Sequence, residues 1–266
     1  MYKEYWGFKL SPFENVPDPR FLYLSPKHEE ALMRLLYAAN GQKGAAMLTG
    51  GIGCGKTLLS RVLVQRLTEG KFKVALISNP SLPPVSFLRE ILYQLGIKTT
   101  YKLKVDLLHL LNDEILNNLE KGKDTILVID EAHMIIANKS ISEEIRLLLN
   151  FQLDDRFLLT LILIGQPELK TGISEIPQLE QRIAIKYNLK PLNPLETEEY
   201  IQFRMKTAGL SKNIFTHEAI SKIYEYSKGI PRKINNICDL SLLVGYSTKA
   251  KDIDATVVQE SINEQS

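Results

Sequence analysis

A chain of 266 residues, 44% hydrophobic and 24% charged, has the composition of a folded protein with a sizeable core, which excludes the low-complexity and disordered classes. Lysine and arginine total 33 against 31 acidic residues, a formal net charge of +2, so no overall field draws the protein to nucleic acid or membrane, and any such partner must be met by a local patch. Cys54 and Cys238 lack the spacing of a zinc or disulfide framework. The N-terminus has no basic region leading into an apolar run, and no stretch approaches the ~20 apolar residues of a membrane-spanning helix; a cytoplasmic protein with no membrane span is expected.

The first 24 residues are irregular and rich in aromatics, Tyr2, Tyr5, Trp6, Phe8, Phe13, Phe21 and Tyr23, broken by Pro12, Pro17 and Pro19. They form an extended packing segment. Ser25 before Pro26 is a helix start, the hydroxyl capping open amides and proline taking the first helical position, with Leu32, Leu35 and Leu36 at helical spacing as far as Gly41. Strands are expected at 45–49, 74–78, 125–130, 158–164 and 185–189, and helices from 56, around 85–95 and around 105–121. The strand runs are apolar throughout rather than alternating, the pattern of a parallel sheet covered by helices on both faces and built from right-handed crossovers. Beyond Pro191 the strand-like runs stop, and helices are expected at 196–208, 217–227, 231–246 and 254–263. The expected organisation is a packing segment at 1–24, an α/β domain at 25–192 and a helical domain at 193–266, joined at the Pro191 and Pro194 turn.

Residues 50–57, Gly50, Gly51, Ile52, Gly53, Cys54, Gly55, Lys56 and Thr57, match G-x-x-x-x-G-K-T between the apolar run AAML and the helical stretch TLLSRVLVQRL. Glycine is needed because the backbone must wrap around phosphate oxygens with its amides pointing inward, and four of these eight residues are glycine. Lys56 sets a cation against the β- and γ-phosphates, Thr57 offers a hydroxyl to Mg²⁺, and the helix N-terminus, with Leu58 next in line, adds its partial positive charge. Cys54 takes a variable position of the loop as a small residue. Its place predicts thiol sensitivity against which ATP protects.

Residues 125–131, TILVIDE, are an apolar strand ending in two carboxylates about seventy residues past the loop. A strand of this kind delivers Asp130 to the carboxyl edge of the sheet to hold Mg²⁺ through water, while Glu131 polarises the attacking water. A D-E pair favours a hydrolysing ATPase over a nucleoside kinase or GTPase, and no N-K-x-D guanine-reading motif occurs. The expected ligands are ATP and Mg²⁺.

With these motifs in place the chain resembles the ExeA-like ATPases, also called the general secretion pathway protein A type, within the AAA+ group related to initiator and transposon ATPases. The resemblance spans nearly the whole chain and rests on PF at 12–13, PDPRFLYLSPKHEEAL at 17–32, the phosphate loop, IDEAH at 129–133, LIGQPEL at 163–169, LEQRI at 179–183 and GIPRKIN at 229–235. It implies an α/β P-loop NTPase of five parallel strands with a C-terminal helical lid, nucleotide bound at the junction and at subunit interfaces, and assembly into an ATP-dependent homo-oligomeric ring or filament. It also implies that Gln166 is sensor 1, that Arg182, in a short helix, is the arginine finger reaching a neighbouring subunit, and that Arg232 is sensor 2. Guanidinium suits both arginine roles because its planar fork spans phosphate oxygens and stays charged. Residues 21–28 are expected to border the adenine in this group, with His28 on the helix surface or beside the base.

Three readings of the process stay open, since an AAA+ engine does not state what it remodels. Longer members of the group carry a membrane helix and a peptidoglycan-binding part and assist secretion or pilus machinery; this sequence holds neither segment, which weighs against an envelope role. A DNA-associated helper ATPase of transposition type is the second, with the basic segment at 98–104, KTTYKLK, able to meet phosphates or to be a solvated loop. The third, a nucleotide-gated scaffold without turnover, is weakened by Glu131.

Overall fold

A computed structural model describes residues 2–136 and 139–265. In chain order the elements are α1 (Tyr2–Trp6), a 3-10 turn (Pro19–Phe21), α2 (Pro26–Asn40), β1 (Ala45–Gly50), α3 (Lys56–Thr68), β2 (Phe72–Ile77), α4 (Pro84–Gln94), α5 (Lys104–Glu120) and β3 (Asp124–Ile129). There follow α6 (His133–Ile136), α7 (Lys139–Leu148), β4 (Leu159–Gly165), α8 (Glu168–Ser174), α9 (Pro177–Glu180), β5 (Ile183–Leu189), α10 (Pro194–Thr207), α11 (His217–Ser227), α12 (Pro231–Ser247) and α13 (Ala255–Glu264). The chain divides into two compact units, one of Lys27–Ile52 with Leu59–Leu189, the other of Met1–Pro26, Gly53–Leu58 and Lys190–Ser266.

The α/β unit is a five-stranded sheet in the order β2-β3-β4-β1-β5, every neighbouring pair parallel. Its register pairs Ala45 with Leu161 on one side and Ile183 on the other, so β1 lies between β4 and β5. The central strands β1 and β4 are buried along their whole length, and β3 is buried at all but its first residue. The two edge strands depart from the expected all-apolar pattern: β5 alternates, with Ala184, Lys186 and Asn188 exposed, and β2 is fully buried only at Phe72, Ala75 and Ile77, because an edge strand has one strand neighbour and less cover. Parallel strands bring their carboxyl ends to one edge, here Gly50, Ile129 and Gly165, the edge that α/β folds use for ligands. The core beneath the sheet takes Phe87, Leu88, Ile91 and Leu92 from α4, Leu107, Leu111 and Ile115 from α5, and Ile141, Ile145 and Leu148 from α7.

The second unit is helical, and its core includes the N-terminal aromatics: Trp6, Phe8, Phe13 and Phe21 are buried with Tyr200, Ile201, Met205, Ile234 and Leu242. Tyr2–Trp6 is a helix rather than the irregular segment expected from its composition. Trp6 Nε1 donates to the Leu242 carbonyl at 2.9 Å, so the one tryptophan has its polar end satisfied inside the core. Helix α10 opens with a capping box in which Asn193 accepts from the Glu196 amide and Glu196 accepts from the Asn193 amide, behind Pro194 at the first helical position.

Candidate nucleotide site

The phosphate loop leaves β1 at the buried Gly50 and enters α3 at Lys56. Gly53 and Gly55 hold φ of +79° and +91°, left-handed conformations that a side chain disfavours, and such turns aim successive amides into an anion-binding hollow. A Cβ on Gly53 would lie 2.7 Å from Arg232 Cβ and 3.1 Å from Ile230 Cγ2, so this position admits glycine alone. Lys56 is 6% exposed at the N-terminus of α3, while Thr57 is exposed and Leu58 half-buried. Ile52 projects outward at 62% exposure. Cys54 is 1% exposed, so the expected reaction with thiol reagents needs the loop to open first; the small thiol is packed inside rather than presented to solvent.

Arg232 stands one residue after Pro231 in the first turn of α12, exposed, with its amide donating to the Gly53 carbonyl at 3.2 Å. The first turn of α12 thus lies against the loop at Gly53, within the same unit.

At the carboxyl edge of β3, Asp130 is 3% exposed and its amide donates to the Ile77 carbonyl at 2.9 Å. Ser60 Oγ donates to Asp130 Oδ2 at 3.4 Å, and the Glu131 amide donates to Asp130 Oδ1 at 2.9 Å, so the carboxylate is held by α3 one turn past Thr57 and by its own turn. Among the described residues no group of three or more His, Cys, Asp or Glu could hold a metal. One carboxylate and one hydroxyl suit Mg²⁺, which keeps several waters and takes further ligands from substrate phosphates rather than from a protein cage.

Glu131 has φ of +51°, a left-handed conformation costing of order 1–3 kcal/mol in a residue other than glycine, of the kind that clusters at active sites. The turn is kept in place by backbone bonds from Ala132 to the Ile164 carbonyl at 2.8 Å and from Met134 to the Glu131 carbonyl at 3.0 Å. Gly165 lies so close beneath it that a Cβ there would meet the His133 nitrogen and Leu169 Cδ2, each at 3.0 Å. His133 links two residues expected at the site: its Nδ1 is 3.3 Å from Glu131 Oε2 and its Nε2 is 3.1 Å from Gln166 Nε2. Sequence reasoning missed His133 except as the last letter of IDEAH; its place beside Gln166 follows from the docking of the β3 turn on the end of β4, which no local pattern encodes.

Three expectations need correction. Arg182 is not in a helix; it lies between α9 and β5, half-buried, with Nη1 donating to the Leu149 carbonyl at 2.7 Å. Because Ile183 pairs with Ala45 and Leu189 with Gly50, Arg182 sits at the amino end of the sheet, about 20 Å along β5 from the edge carrying Gly50, Asp130 and Gln166. His28 is buried at 4% exposure, so of its two expected places the helix surface is excluded and the place beside the base is not. Lys104, taken as part of a basic patch, is engaged with the buried Glu144, Nζ to Oε1 2.5 Å, which leaves Lys98 and Lys102 as the exposed lysines of 98–104, with Thr100, Tyr101 and Leu103 exposed beside them.

Comparison with known proteins places these features in a family. A model of the AAA domain matches residues 39–172. General secretion pathway protein A of Aeromonas hydrophila is 38% identical over 251 residues, covering 93% of this chain but 45% of that protein, so the chain spans about half the length of this relative. An uncharacterized HTH-type transcriptional regulator of Methanocaldococcus jannaschii is 26% identical, covering 96% of this chain and 72% of that protein. Among solved structures, the Aeropyrum pernix ORC2 protein in ADPNP-ADP complexes superposes with a TM-score of 0.70 at 19% identity, covering 95% of this chain and 71% of that one. The Aeropyrum pernix ORC1 protein in complex with DNA follows at 0.69 and 15%, covering 97% and 69%. The phosphate loop, the strand-end carboxylates and the 39–172 match converge on one conclusion: the chain belongs to the AAA domain family of P-loop ATPases.

Proposed function

We propose that the chain binds Mg-ATP and hydrolyses it to drive assembly or remodelling of a partner complex, working as a homo-oligomer in the cytoplasm. The observation that carries the reading is the pairing of a glycine loop too tight for side chains at Gly53 with a strained Glu131 beside a buried, doubly bonded Asp130. The amides of 50–57 and Lys56 hold the phosphates, and Leu58 follows them on the helix. Thr57 and Asp130 hold Mg²⁺, which when bound neutralises charge on the phosphate oxygens. Glu131 accepts a proton from the attacking water, Gln166 meets the γ-phosphate, and Arg232 adds charge from the helical unit. Arg182, remote from its own site along β5, completes the site of a neighbouring copy. Phosphate release measured with ATP and Mg²⁺, with and without EDTA, tests this directly; no release under any condition, with tight ATP binding, would return the chain to a nucleotide-gated scaffold.

The 38% identity to general secretion pathway protein A supports a secretion-type partner complex. A DNA-associated helper role is favoured by a different observation: Lys98, Tyr101 and Lys102 are exposed together ahead of α5, with Leu103 beside them at 63% exposure. Stacking and phosphate contacts suit such a segment. Stimulation of turnover by duplex DNA separates the two.

A further inference from the structure

Glu131 follows β3 and Gln166 follows β4, and among the described residues His133 is the side chain that touches both. Its ring nitrogens face unlike partners. Nδ1 lies 3.3 Å from Glu131 Oε2, which can only accept, and 3.5 Å from the Gln166 backbone N–H, which can only donate, while Nε2 lies 3.1 Å from the Gln166 side-chain amide. With the hydrogen on Nε2, Nδ1 accepts from the Gln166 backbone and the amide turns its oxygen to the ring; with the hydrogen on Nδ1, the ring donates to the carboxylate. In the second tautomer the contacts form one ordered chain, Gln166 Nε2–H to His133 Nε2, and His133 Nδ1–H to Glu131 Oε2. The amide of Gln166 keeps a second N–H for another acceptor.

The backbone of this turn does not depend on the imidazole. Ala132 is bonded to the Ile164 carbonyl, Met134 to that of Glu131 and Ile135 to that of Ala132, while Gly165 gives the turn its seat. The ring is half-buried, its side chain 21% exposed.

We propose that His133 is a positioning residue that ties the carboxylate of Glu131 to the amide of Gln166, so that engagement of the γ-phosphate at the end of β4 sets the carboxylate that orients water. The inference rests on the ATPase reading above. When the second N–H of Gln166 meets a phosphate oxygen, the amide turns, His133 follows it, and the Glu131 carboxylate is turned with the ring.

The test is a double-mutant cycle on His133→Ala and Gln166→Ala, with steady-state ATP hydrolysis and ATP affinity read on each full-length variant. His133→Ala is expected to lower kcat about 10- to 100-fold with ATP affinity within about twofold and Tm within about 3 °C of wild type. The double variant should be no more than about twofold slower than the slower single variant, because both remove one link of the same chain. His133→Asn, which keeps an N–H toward Glu131 but reaches no further, should match Gln166→Ala and show the same non-additivity; it carries the cycle if the alanine variant does not fold. Turnover by His133→Ala within twofold of wild type, or losses that multiply in the double variant, would overturn the proposal. A wild type that hydrolyses ATP yet ignores His133 defeats this inference alone, whereas a wild type that binds ATP without hydrolysing it defeats the ATPase reading and the inference with it.

Discussion

At Gly53 the backbone φ of +79° and the 2.7 Å approach of Arg232 Cβ act against any side chain at once. Gly53→Ala is therefore expected to cost about 1–3 kcal/mol and to weaken ATP binding, read by thermal melting and by nucleotide titration. Unchanged melting and affinity would show that the loop and α12 do not hold each other. The glycines, Lys56, Thr57, Asp130 and Glu131 were legible in the sequence because the chemistry of phosphate and metal fixes residue types at fixed offsets. Gln166, Arg182 and Arg232 carry no such local constraint and were singled out only through resemblance. His133 was singled out by neither route, since what marks it is a contact between two turns. The burial of Cys54 was equally hidden, and alkylation of the native protein is expected to be slow and to track loop opening.

The strand runs were legible because buried parallel strands are apolar along their length, and β1, β3 and β4 keep that pattern. Helix α7 was overlooked although Ile141, Ile145 and Leu148 recur at helical spacing between polar residues, the pattern of an amphipathic helix. In the helical unit the N-terminal segment is tied down by Arg204, which sequence gave no reason to single out. Its Nε donates to the Pro12 carbonyl at 2.5 Å, Nη2 to the Glu14 carbonyl at 2.8 Å and Nη1 to Tyr200 Oη at 2.9 Å, and the guanidinium lies 4.8 Å from the Phe21 ring centre. Burial pushes the Tyr200 phenol up from its ordinary value of 10.0, even though Arg204 and Asn235 pull it down. Burial and Asp239 raise Tyr2, and burial and Glu199 raise Tyr23. Since the folded state keeps these phenols protonated while the unfolded chain ionises near pH 10, their contribution is whole below that pH and is lost as pH rises above it. The urea midpoint should fall between pH 9 and pH 11, and less steeply in Tyr200→Phe; an equal fall in both proteins would mean that Tyr200 does not contribute.

For the whole molecule, the proposal that Arg182, about 20 Å along β5 from its own carboxyl edge, serves a neighbouring copy implies that activity depends on assembly. Specific activity should rise with protein concentration. Mixing Arg182→Ala with Lys56→Ala should restore part of the turnover at mixed interfaces, given that arginine fingers contribute about 10³ to 10⁵ in rate. Because Arg182→Ala also loses the bond to the Leu149 carbonyl, co-assembly has to be confirmed; co-assembly without recovery would leave Arg182 as a structural residue. If 98–104 meets DNA, affinity should fall steeply with salt and weaken in Lys98→Ala with Lys102→Ala, and salt-insensitive binding would return the segment to a solvated loop. The central claim, that the glycine loop binds ATP while the strand-end glutamate hydrolyses it, is tested most directly by measuring bound ATP and released phosphate together in Lys56→Ala and Glu131→Gln. The account predicts no bound ATP in the first, and in the second retained, unhydrolysed ATP with phosphate release at least about 100-fold below wild type. Equal loss of ATP binding in the two variants, or wild-type phosphate release from Glu131→Gln, would contradict it.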